Sequence, residues 1–337
     1  MASQLVSELN KTKFGLGLMT FTINNPPRTQ DQFNEVVLAT IKKNLPAKTF
    51  VNGGEFYGPD DLNLKYIKSF VDTHPEQRQN LIISIKGAFD FVTLKPTGDK
   101  KGIDKSIDHI LEYIPDLDTF EQARIDPTLP LEESIDALNE AVDQGKIKGI
   151  SFSEINEKTL EKAAKLVKTP IVSVEVEFSI FSRDILKKGG LAEKAGALGV
   201  PIIAYSPLSR GLLTGDIKSA ADVPKDMRSH LDRFTGENLE HNLKIVEYIQ
   251  QKAEEAGTTI VEYALAWVRA WSGRTVDGVK YAKIIDIPST STLKRVDQNF
   301  SDFVLTEEQF DEANKFLETV TVKGRRYNEA FEKYLDL

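Results

Sequence analysis

A tyrosine and a lysine that each follow an apolar run are the residues of this chain best suited to moving a proton. Tyr57 lies in FVNGGEFYGP at 50–59, and Lys86 ends the apolar run LIISIK at 81–86. Lysine is rarely buried unless it has a partner or a function. If the two side chains meet, the ammonium group stabilises the phenolate and lowers the pKa of Tyr57 from its ordinary value of about 10. The pair therefore predicts a tyrosine that acts as an acid on a substrate.

Considered alone, each of these residues also has a structural interpretation. The glycines around Tyr57 are typical of a turn, and Lys86 could extend its ammonium group to solvent from a strand end. The catalytic interpretation needs an architecture that brings both residues to one place. The elements around them must therefore be predicted first.

Short apolar runs alternate with amphipathic segments along the chain. The predicted strands lie at 15–19, 48–52, 81–86, 119–124, 147–151, 171–177, 201–206 and 282–288. Apolar residues that recur every three or four positions predict helices at 32–44, 62–72, 103–113, 131–144, 158–167 and 191–197. About eight strand–helix units with short connections favour a closed barrel over an open doubly wound sheet. We therefore predict an α/β fold, a single (β/α)8 TIM-barrel domain spanning 1–337.

Two segments depart from this repeat. Residues 208–240 are mixed and charged, and they predict a long loop over the barrel mouth before helical periodicity resumes near Asn242. Residues 306–337 predict a helix followed by irregular chain that includes KGRRYNEAF. Barrel enzymes place their reactive groups at the carboxyl ends of the strands. Tyr57 and Lys86 are expected to meet there.

The composition argues against several classes of function. A net charge of −8 disfavours binding to nucleic acid or to an anionic membrane, and the absence of cysteine excludes disulfides and thiolate chemistry. We expect a cytoplasmic protein with a small-molecule partner, because no segment is typical of a signal peptide or a membrane span. The four histidines lack ligand spacing, so no metal is predicted.

The segments that carry these residues resemble the aldo-keto reductases. The matching segments are NGGEFYG at 52–58, KG at 86–87, ARIDP at 123–127, AYSPL at 204–208 and GLLTG at 211–215. They occur in the same order as in the family, from about Phe14 to Asn299. The resemblance implies a (β/α)8 barrel in which Tyr57 is the proton donor and Lys86 is its electrostatic partner.

The same resemblance implies NADPH as cofactor. Ser153 and Glu154 are similar to the pair that holds the nicotinamide carboxamide, Glu175 falls where a Gln does the same, and Tyr205 would stack on the nicotinamide ring. The guanidinium group of Arg295 suits a 2′-phosphate, which favours NADPH over NADH. The complete implied set is Ser153, Glu154, Glu175, Tyr205, Ser206, Pro207, Leu208, Gly211, Leu213, Ser289, Thr290, Ser291, Arg295, Gln298 and Asn299.

Two positions depart from the Asp, Tyr, Lys and His tetrad of the family. Asn52 replaces the Asp, and Ala123 replaces the His. Asn52 can accept a hydrogen bond from Lys86 but carries no charge, so we expect Lys86 to lose its proton more readily. The loss of the imidazole opens space for a bulkier or ring-shaped carbonyl substrate.

Within the family, the pyridoxal reductases of yeast carry the same two replacements. The segments GEFYGP, ARIDP, SFSEIN, EFSIFSRDI and YSPLSRGLLTG closely resemble theirs. The implied reaction is the reversible reduction of pyridoxal to pyridoxine, with hydride from NADPH and a proton from Tyr57. The residues expected near the substrate are Glu55, Phe56, Ala123 and Arg124, and an ion pair between Arg124 and Asp126 is expected to support the end of the fourth strand.

Two alternatives stay open from the sequence. The chain could reduce another aldehyde or an α-dicarbonyl, because variable loops form the substrate pocket. It could instead be a regulatory subunit that binds NADPH and senses redox state. The replacements at Asn52 and Ala123 favour that second alternative, since both would weaken catalysis.

Overall fold

A closed barrel of parallel strands organises the molecule in a computed structural model, which describes residues 1–327 and 332–335. Each strand pairs in parallel with its neighbours in chain order, and a parallel bridge between Gly17 and Ser289 closes the sheet. The strands are β1 (Gly15–Gly17), β2 (Thr49–Gly54), β3 (Leu81–Gly87), β4 (Thr119–Gln122), β5 (Gly149–Ser153), β6 (Ile171–Glu177), β7 (Ile202–Tyr205) and β8 (Ile284–Asp286). The predicted (β/α)8 fold is confirmed.

Helices surround the barrel, and several begin at residues that satisfy their first backbone N–H groups. Thr29, Thr259 and Thr306 each form a reciprocal capping box with the residue three positions later. The helices with described bounds are α1 (Ala2–Lys11), α2 (Met19–Thr22), α3 (Gln30–Asn44), α4 (Leu62–Thr73), α5 (Lys100–Tyr113), α6 (Leu131–Asp143), α7 (Glu157–Leu166), α8 (Leu191–Leu198), α9 (Gly236–Glu255), α10 (Ile260–Ala270), α11 (Leu293–Asn299) and α12 (Glu307–Thr319). Within the described residues, no helix is both long and apolar enough to cross a bilayer.

The barrel interior changes from apolar to charged along its axis. The buried face of α1, which includes Leu5 and Leu9, packs on a cluster that contains Phe50 of β2. Side chains on a strand alternate between its two faces, so Asn52 points to the same side as Phe50, nearer the carboxyl end. There Asn52 meets Glu121 of β4. The sheet therefore directs polar side chains from several strands toward one mouth.

The long loop predicted after β7 contains more regular structure, and ends earlier, than expected. It forms four short 3-10 turns, at Ser209–Thr214, Ala220–Asp222, Met227–His230 and Asp232–Phe234. Helix α9 then begins at Gly236, earlier than the predicted position near Asn242. After α12 the chain is irregular through Tyr327, and the part of the tail prediction that concerns 328–331 and 336–337 lies outside the described residues.

Candidate active site

Lys86 lies at the centre of a buried charged group at the barrel mouth. Its side chain is only 6% exposed, and it donates a hydrogen bond to Oδ1 of Asn52. Its Nζ lies 2.6 Å from Oε1 of Glu175 and 3.3 Å from Oε1 of Glu121. Burial disfavours the ammonium group, but Glu121 and then Glu175 outweigh burial and raise the pKa of Lys86. The prediction that Lys86 would lose its proton more readily is therefore wrong, because two carboxylates supply the charge that Asn52 lacks.

Tyr57 lies beside Lys86 in the turn that follows β2. Its ring centroid is 5.9 Å from Nζ of Lys86. A Cβ atom at Gly54 would lie 2.9 Å from the Tyr57 ring, and Gly58 adopts a φ of +89° where a Cβ would approach the Thr22 carbonyl. Glycine on either side of Phe56 and Tyr57 thus allows the ring to pack against the strand end.

The pKa of Tyr57 is raised by burial and by nearby carboxylates and is lowered by Lys86. Burial and the carboxylates of Glu175 and Glu121 raise the pKa of Tyr57 to about 12, although Lys86 lowers it. Lys86 acts in the predicted direction, but the expected net decrease is wrong. Burial, together with the negative charge of Glu121, likewise raises the pKa of Glu175 to about 8.

Glu121 is the residue of this group that sequence analysis missed. It is fully buried, and its Oε2 accepts hydrogen bonds from Nδ2 of Asn52 at 2.8 Å and from Oγ of Ser84 at 3.1 Å. A signal was present, since Thr119 and Glu121 alternate with Phe120 in a short strand. The motif that drew attention to this region, ARIDP, begins two residues later.

Glu175 also has a feature that fits a nicotinamide cofactor. Its Oε2 atom is buried and accepts no hydrogen bond from the described residues. A buried carboxylate oxygen without a donor is costly, and a carboxamide N–H would satisfy it. Ser153 is nearby on the paired strand β5, where its Oγ accepts a hydrogen bond from Arg124 at 3.3 Å.

The C-terminal tail covers the other residues expected at the nicotinamide. Nη2 of Arg326 lies 3.0 Å from Oε2 of Glu154, and the hydroxyl groups of Tyr205 and Tyr327 are 3.2 Å apart. The guanidinium group of Arg210 stacks on the Tyr327 ring at 4.1 Å. Tail residues are thus in direct contact with two of the predicted cofactor residues.

A second buried carboxylate holds the turn after β7. Glu177 at the end of β6 forms ion pairs with Arg210 at 3.0 Å and Arg233 at 3.3 Å. Burial would raise the pKa of Glu177, but these arginines outweigh it and hold the pKa below its ordinary value. This carboxylate therefore stays charged and ties β6 to the long segment that covers the mouth.

The turn after β7, which was predicted to bind the cofactor, has an unusual backbone. Ser206 has a φ of +49° and Gly211 has a φ of +103°. The N–H groups of both Gly211 and Leu213 donate to the Leu208 carbonyl, and Pro207 is buried within the turn. Left-handed non-glycine residues are uncommon and concentrate at ligand sites.

The residues predicted for the adenosine end lie after β8. Ser289 is exposed and its hydroxyl contacts that of Thr20, whereas Thr290, Ser291 and Asn299 are buried. Asn299 donates to Oγ1 of Thr290 at 2.8 Å. Buried polar residues hold this segment in place beneath its exposed serine.

Two further predicted residues lie on α11. Arg295 is exposed and has no ion-pair partner among residues 1–327 and 332–335, and Gln298 lies beside Thr259. The structure brings this set together on one side of the barrel.

The expected substrate residues divide into two groups. Phe56 stacks on Phe91 at 5.8 Å next to Tyr57, and Ala123 is buried at the end of β4. Glu55 turns instead toward α5, where its carboxylate contacts Ser106 and Nδ1 of His109. Glu55 is therefore paired with residues of α5, on the outside of the barrel.

The expected ion pair between Arg124 and Asp126 does not form. Asp126 accepts hydrogen bonds from the backbone N–H and hydroxyl of Thr128, and Arg124 donates to the Ala123 carbonyl and to Ser153. Local capping of the turn satisfies Asp126, so the guanidinium group of Arg124 faces the mouth without a carboxylate partner in the described chain.

Comparisons with a family model and with known proteins identify the same family. The model of the Aldo/keto reductase family matches residues 13–318. A Saccharomyces cerevisiae protein provisionally named pyridoxal reductase is 38% identical over 97% of this chain and 99% of its own length. A Schizosaccharomyces pombe protein provisionally named pyridoxal reductase 2 is 33% identical over 96% of both chains.

Solved structures support the same fold. A glycerol dehydrogenase from Gluconobacter oxydans superposes with a TM-score of 0.74 at 18% identity, covering 93% of each chain. A thermostable aldo-keto reductase in complex with the inhibitor epalrestat gives a TM-score of 0.66 at 23% identity, covering 90% of this chain and 94% of its own. At this level of identity the likeness concerns the barrel alone.

Proposed function

This chain belongs to the aldo/keto reductase family, and from that premise we propose that it reduces an aldehyde with NADPH, with pyridoxal as substrate and pyridoxine as product. The observation that carries the proposal is the contact between Tyr57 and the buried ammonium group of Lys86 at the barrel mouth. A half-buried phenol beside a fixed cation suits proton transfer to a carbonyl oxygen. The reverse oxidation would use the same groups.

The side chains of this site support acid catalysis by Tyr57. Bound NADPH would supply a hydride to the carbonyl carbon. A pKa of about 12 keeps Tyr57 protonated at neutral pH, so its O–H is available to the carbonyl oxygen. When that O–H bond breaks and the proton joins the oxygen, Lys86 stabilises the phenolate that remains. Solvent at the mouth can then return a proton to Tyr57.

Two observations support the proposed position of the cofactor. The unsatisfied Oε2 of Glu175 would accept a hydrogen bond from the carboxamide, which Ser153 and Glu154 would flank. Tyr205 would stack on the nicotinamide ring, and Ser206 to Leu213 would follow the diphosphate. At the other end, exposed Arg295 would pair with the 2′-phosphate.

The mouth also supports an aromatic aldehyde as substrate. Phe56, Phe89 and Phe91 form a group of rings next to Tyr57. The small Ala123 leaves space beside them, and Arg124 would pair with an anionic oxygen next to the aldehyde. Pyridoxal carries such a phenolic oxygen on a flat ring, and the two yeast relatives bear the name of the corresponding reductase.

The test is NADPH oxidation with pyridoxal, salicylaldehyde, benzaldehyde and methylglyoxal. Wild-type protein is expected to prefer pyridoxal, and salicylaldehyde should exceed benzaldehyde, which lacks the phenolic oxygen. Tyr57→Phe should lower kcat about 10³-fold while NADPH affinity is retained. A preference for methylglyoxal would instead identify an α-dicarbonyl reductase. Tight NADPH binding without turnover of any aldehyde would favour the redox-sensing subunit.

A further inference from the structure

Three side chains lie next to the ammonium group of Lys86, and they differ in the charge they can carry. Asn52 is neutral. Glu175 is a carboxylate whose pKa burial and the nearby Glu121 raise to about 8. Glu175 is also the proposed partner of the carboxamide. Glu121 is the remaining group, and nothing in the proposed cofactor or substrate contacts uses it.

Hydrogen-bond donors from two neighbouring side chains converge on one oxygen of Glu121. An ammonium group can only donate, so the contact with Lys86 fixes Oδ1 of Asn52 toward Nζ and turns Nδ2 toward Glu121. Oε2 of Glu121 accepts from that amide at 2.8 Å and from the Ser84 hydroxyl at 3.1 Å. These two donors hold this oxygen in place. The other oxygen, Oε1, faces Nζ of Lys86 at 3.3 Å.

Neighbouring strands hold this arrangement in register. Lys86 of β3 lies directly opposite Gly54 of β2 on one side and Glu121 of β4 on the other. The side chains of Asn52, Lys86 and Glu121 are at most 6% exposed, so water cannot substitute for any of them without rearrangement. The position of the ammonium group therefore depends on the carboxylate beside it.

We propose that Glu121 is a positioning residue of the reductase site, whose carboxylate holds Lys86 charged and in place beside Tyr57, directly and through the Asn52 amide. This inference rests on the proposed function, because it assigns a role within the same proton transfer. Charged or titratable groups that face the cluster from its other sides are Tyr57, Glu175 and Arg124.

The sign of the effect on pH dependence follows from the charges. Glu121 raises the pKa of both Lys86 and Tyr57. Reduction needs Tyr57 protonated and Lys86 charged, so loss of either proton produces the alkaline limb of the rate profile. Glu121→Gln keeps the shape and most hydrogen-bonding capacity of the side chain but removes the charge. The alkaline limb of kcat/KM should move to lower pH, by about one pH unit or more.

The experiment compares four forms of the full-length protein: wild type, Glu121→Gln, Asn52→Asp, and the double variant Asn52→Asp with Glu121→Gln. Pyridoxal reduction by NADPH is followed from neutral to alkaline pH. The single Glu121→Gln variant should show the shifted limb and a lower kcat with NADPH affinity unchanged. In the double variant, the aspartate introduced at position 52 returns a carboxylate to Lys86, so the limb should move back toward its wild-type position. Asn52→Asp alone adds a carboxylate beside the ammonium group of Lys86, so it should move the alkaline limb to higher pH.

A direct titration separates this inference from the proposed function. The 15N signal of the Lys86 ammonium group, assigned by its loss in Lys86→Arg, should disappear at lower pH in Glu121→Gln than in wild type, and Asn52→Asp should restore it. That outcome would support the inference even if wild-type protein reduced no aldehyde, a result that would contradict only the proposed function. An unchanged limb and an unchanged titration in Glu121→Gln would overturn the inference. So would a loss of activity that Asn52→Asp does not restore, because a purely structural role of Glu121 does not depend on charge at position 52.

Discussion

Two clusters of buried charge lie at the carboxyl end of the barrel. Negative groups outnumber positive groups in one cluster, and positive groups outnumber negative groups in the other. The lysine cluster consists of Asn52, Tyr57, Lys86, Glu121 and Glu175, and the arginine cluster consists of Glu154, Glu177, Arg210, Arg233 and Arg326. In the lysine cluster one ammonium group faces two carboxylates. In the arginine cluster three guanidinium groups face two carboxylates.

The two charge distributions shift the pKa values of the buried acids in different directions. In the lysine cluster, burial and surplus negative charge act together and raise the pKa of Tyr57 to about 12 and that of Glu175 to about 8. In the arginine cluster, burial is opposed by surplus positive charge, which lowers the pKa of Glu177. The lysine cluster thus contains groups poised to exchange protons. The arginine cluster contains fixed charges that join β6, the long segment after β7 and the tail.

The largest effect is expected from removing the cation of the lysine cluster. Lys86→Met removes the group that stabilises the phenolate of Tyr57, and it should lower kcat/KM for pyridoxal by about 10³-fold or more. The same change in the other cluster, Arg233→Met, should cost less than about tenfold, because Arg210 still pairs with Glu177. Circular dichroism checks that both variants are folded. Equal losses in the two variants would contradict the assignment of chemistry to one cluster and structure to the other.

The next largest effect concerns stability and should come from the arginine cluster. Glu177→Gln leaves Arg210 and Arg233 without their buried carboxylate, and the free energy of unfolding should fall by about 2 to 4 kcal/mol. Urea denaturation followed by fluorescence measures this change. Glu132→Gln, which breaks an exposed ion pair with Lys162 on the outside of the barrel, serves as control and should leave stability unchanged. A similar stability for both variants would show that the arginine cluster does not hold the mouth together.

Sequence reasoning located the fold and the two central residues of the lysine cluster but not its charge balance. Strand positions follow from short apolar runs and turns, which are local signals. Tyr57 and Lys86 could be identified because each lies at the end of such a run or shortly after it. The role of Glu121 depends on register between β2, β3 and β4, and that register is not encoded in any one strand. The pKa of Tyr57 was therefore expected to fall when the described contacts raise it.

Sequence reasoning did not predict the arginine cluster, for a related reason. Glu154 was expected to contact the cofactor, but its partner Arg326 lies 172 residues further along the chain. No periodicity or motif connects positions that far apart. Similarly, Glu55 was expected near the substrate, but contacts from Ser106 and His109 on α5 draw it away. Helix α1 carried a readable signal, since its buried Leu5 and Leu9 are four residues apart.

A smaller effect should appear in how stability depends on pH. The pKa of Glu175 is raised from 4.5 to about 8 in the folded state, so this group favours folding most below its unfolded pKa. That contribution is lost as pH rises through about 8. Glu175→Gln cannot ionise and should therefore gain stability relative to wild type between pH 5 and pH 9, roughly the interval that spans the two pKa values. Thermal unfolding of both proteins at the two pH values measures the difference.

A stability difference between Glu175→Gln and wild type that is the same at both pH values would contradict the raised pKa of Glu175. It would mean that the ion pair with Lys86 keeps this carboxylate charged throughout the range. Asn52→Asp provides a comparison within the lysine cluster, because it adds a carboxylate that also contacts Lys86. Its stability relative to wild type should fall as pH rises, since the added charge joins an existing surplus.

The smallest effect should come from the tail, where the arginine cluster meets the proposed nicotinamide position. Arg326 forms an ion pair with Glu154 at 3.0 Å, so Arg326→Ala leaves that buried carboxylate with one positive neighbour fewer. The oxidised nicotinamide ring is cationic and the reduced ring is neutral. The variant should therefore bind NADP+ more tightly relative to NADPH, by about two- to tenfold for the loss of one nearby positive charge. Fluorescence titration with each cofactor measures the ratio of dissociation constants.

Arg325→Ala is the matched control, since the neighbouring arginine pairs with exposed Asp232 at 2.9 Å and its loss removes the same charge from a more solvated position. Water and salt screen an exposed charge, so the cofactor ratio of this variant should stay close to that of wild type. Equal shifts in both variants would mean that the ratio responds to overall charge and not to Glu154. An unchanged ratio in Arg326→Ala would place the tail arginine away from the nicotinamide and would leave the arginine cluster with a structural role alone.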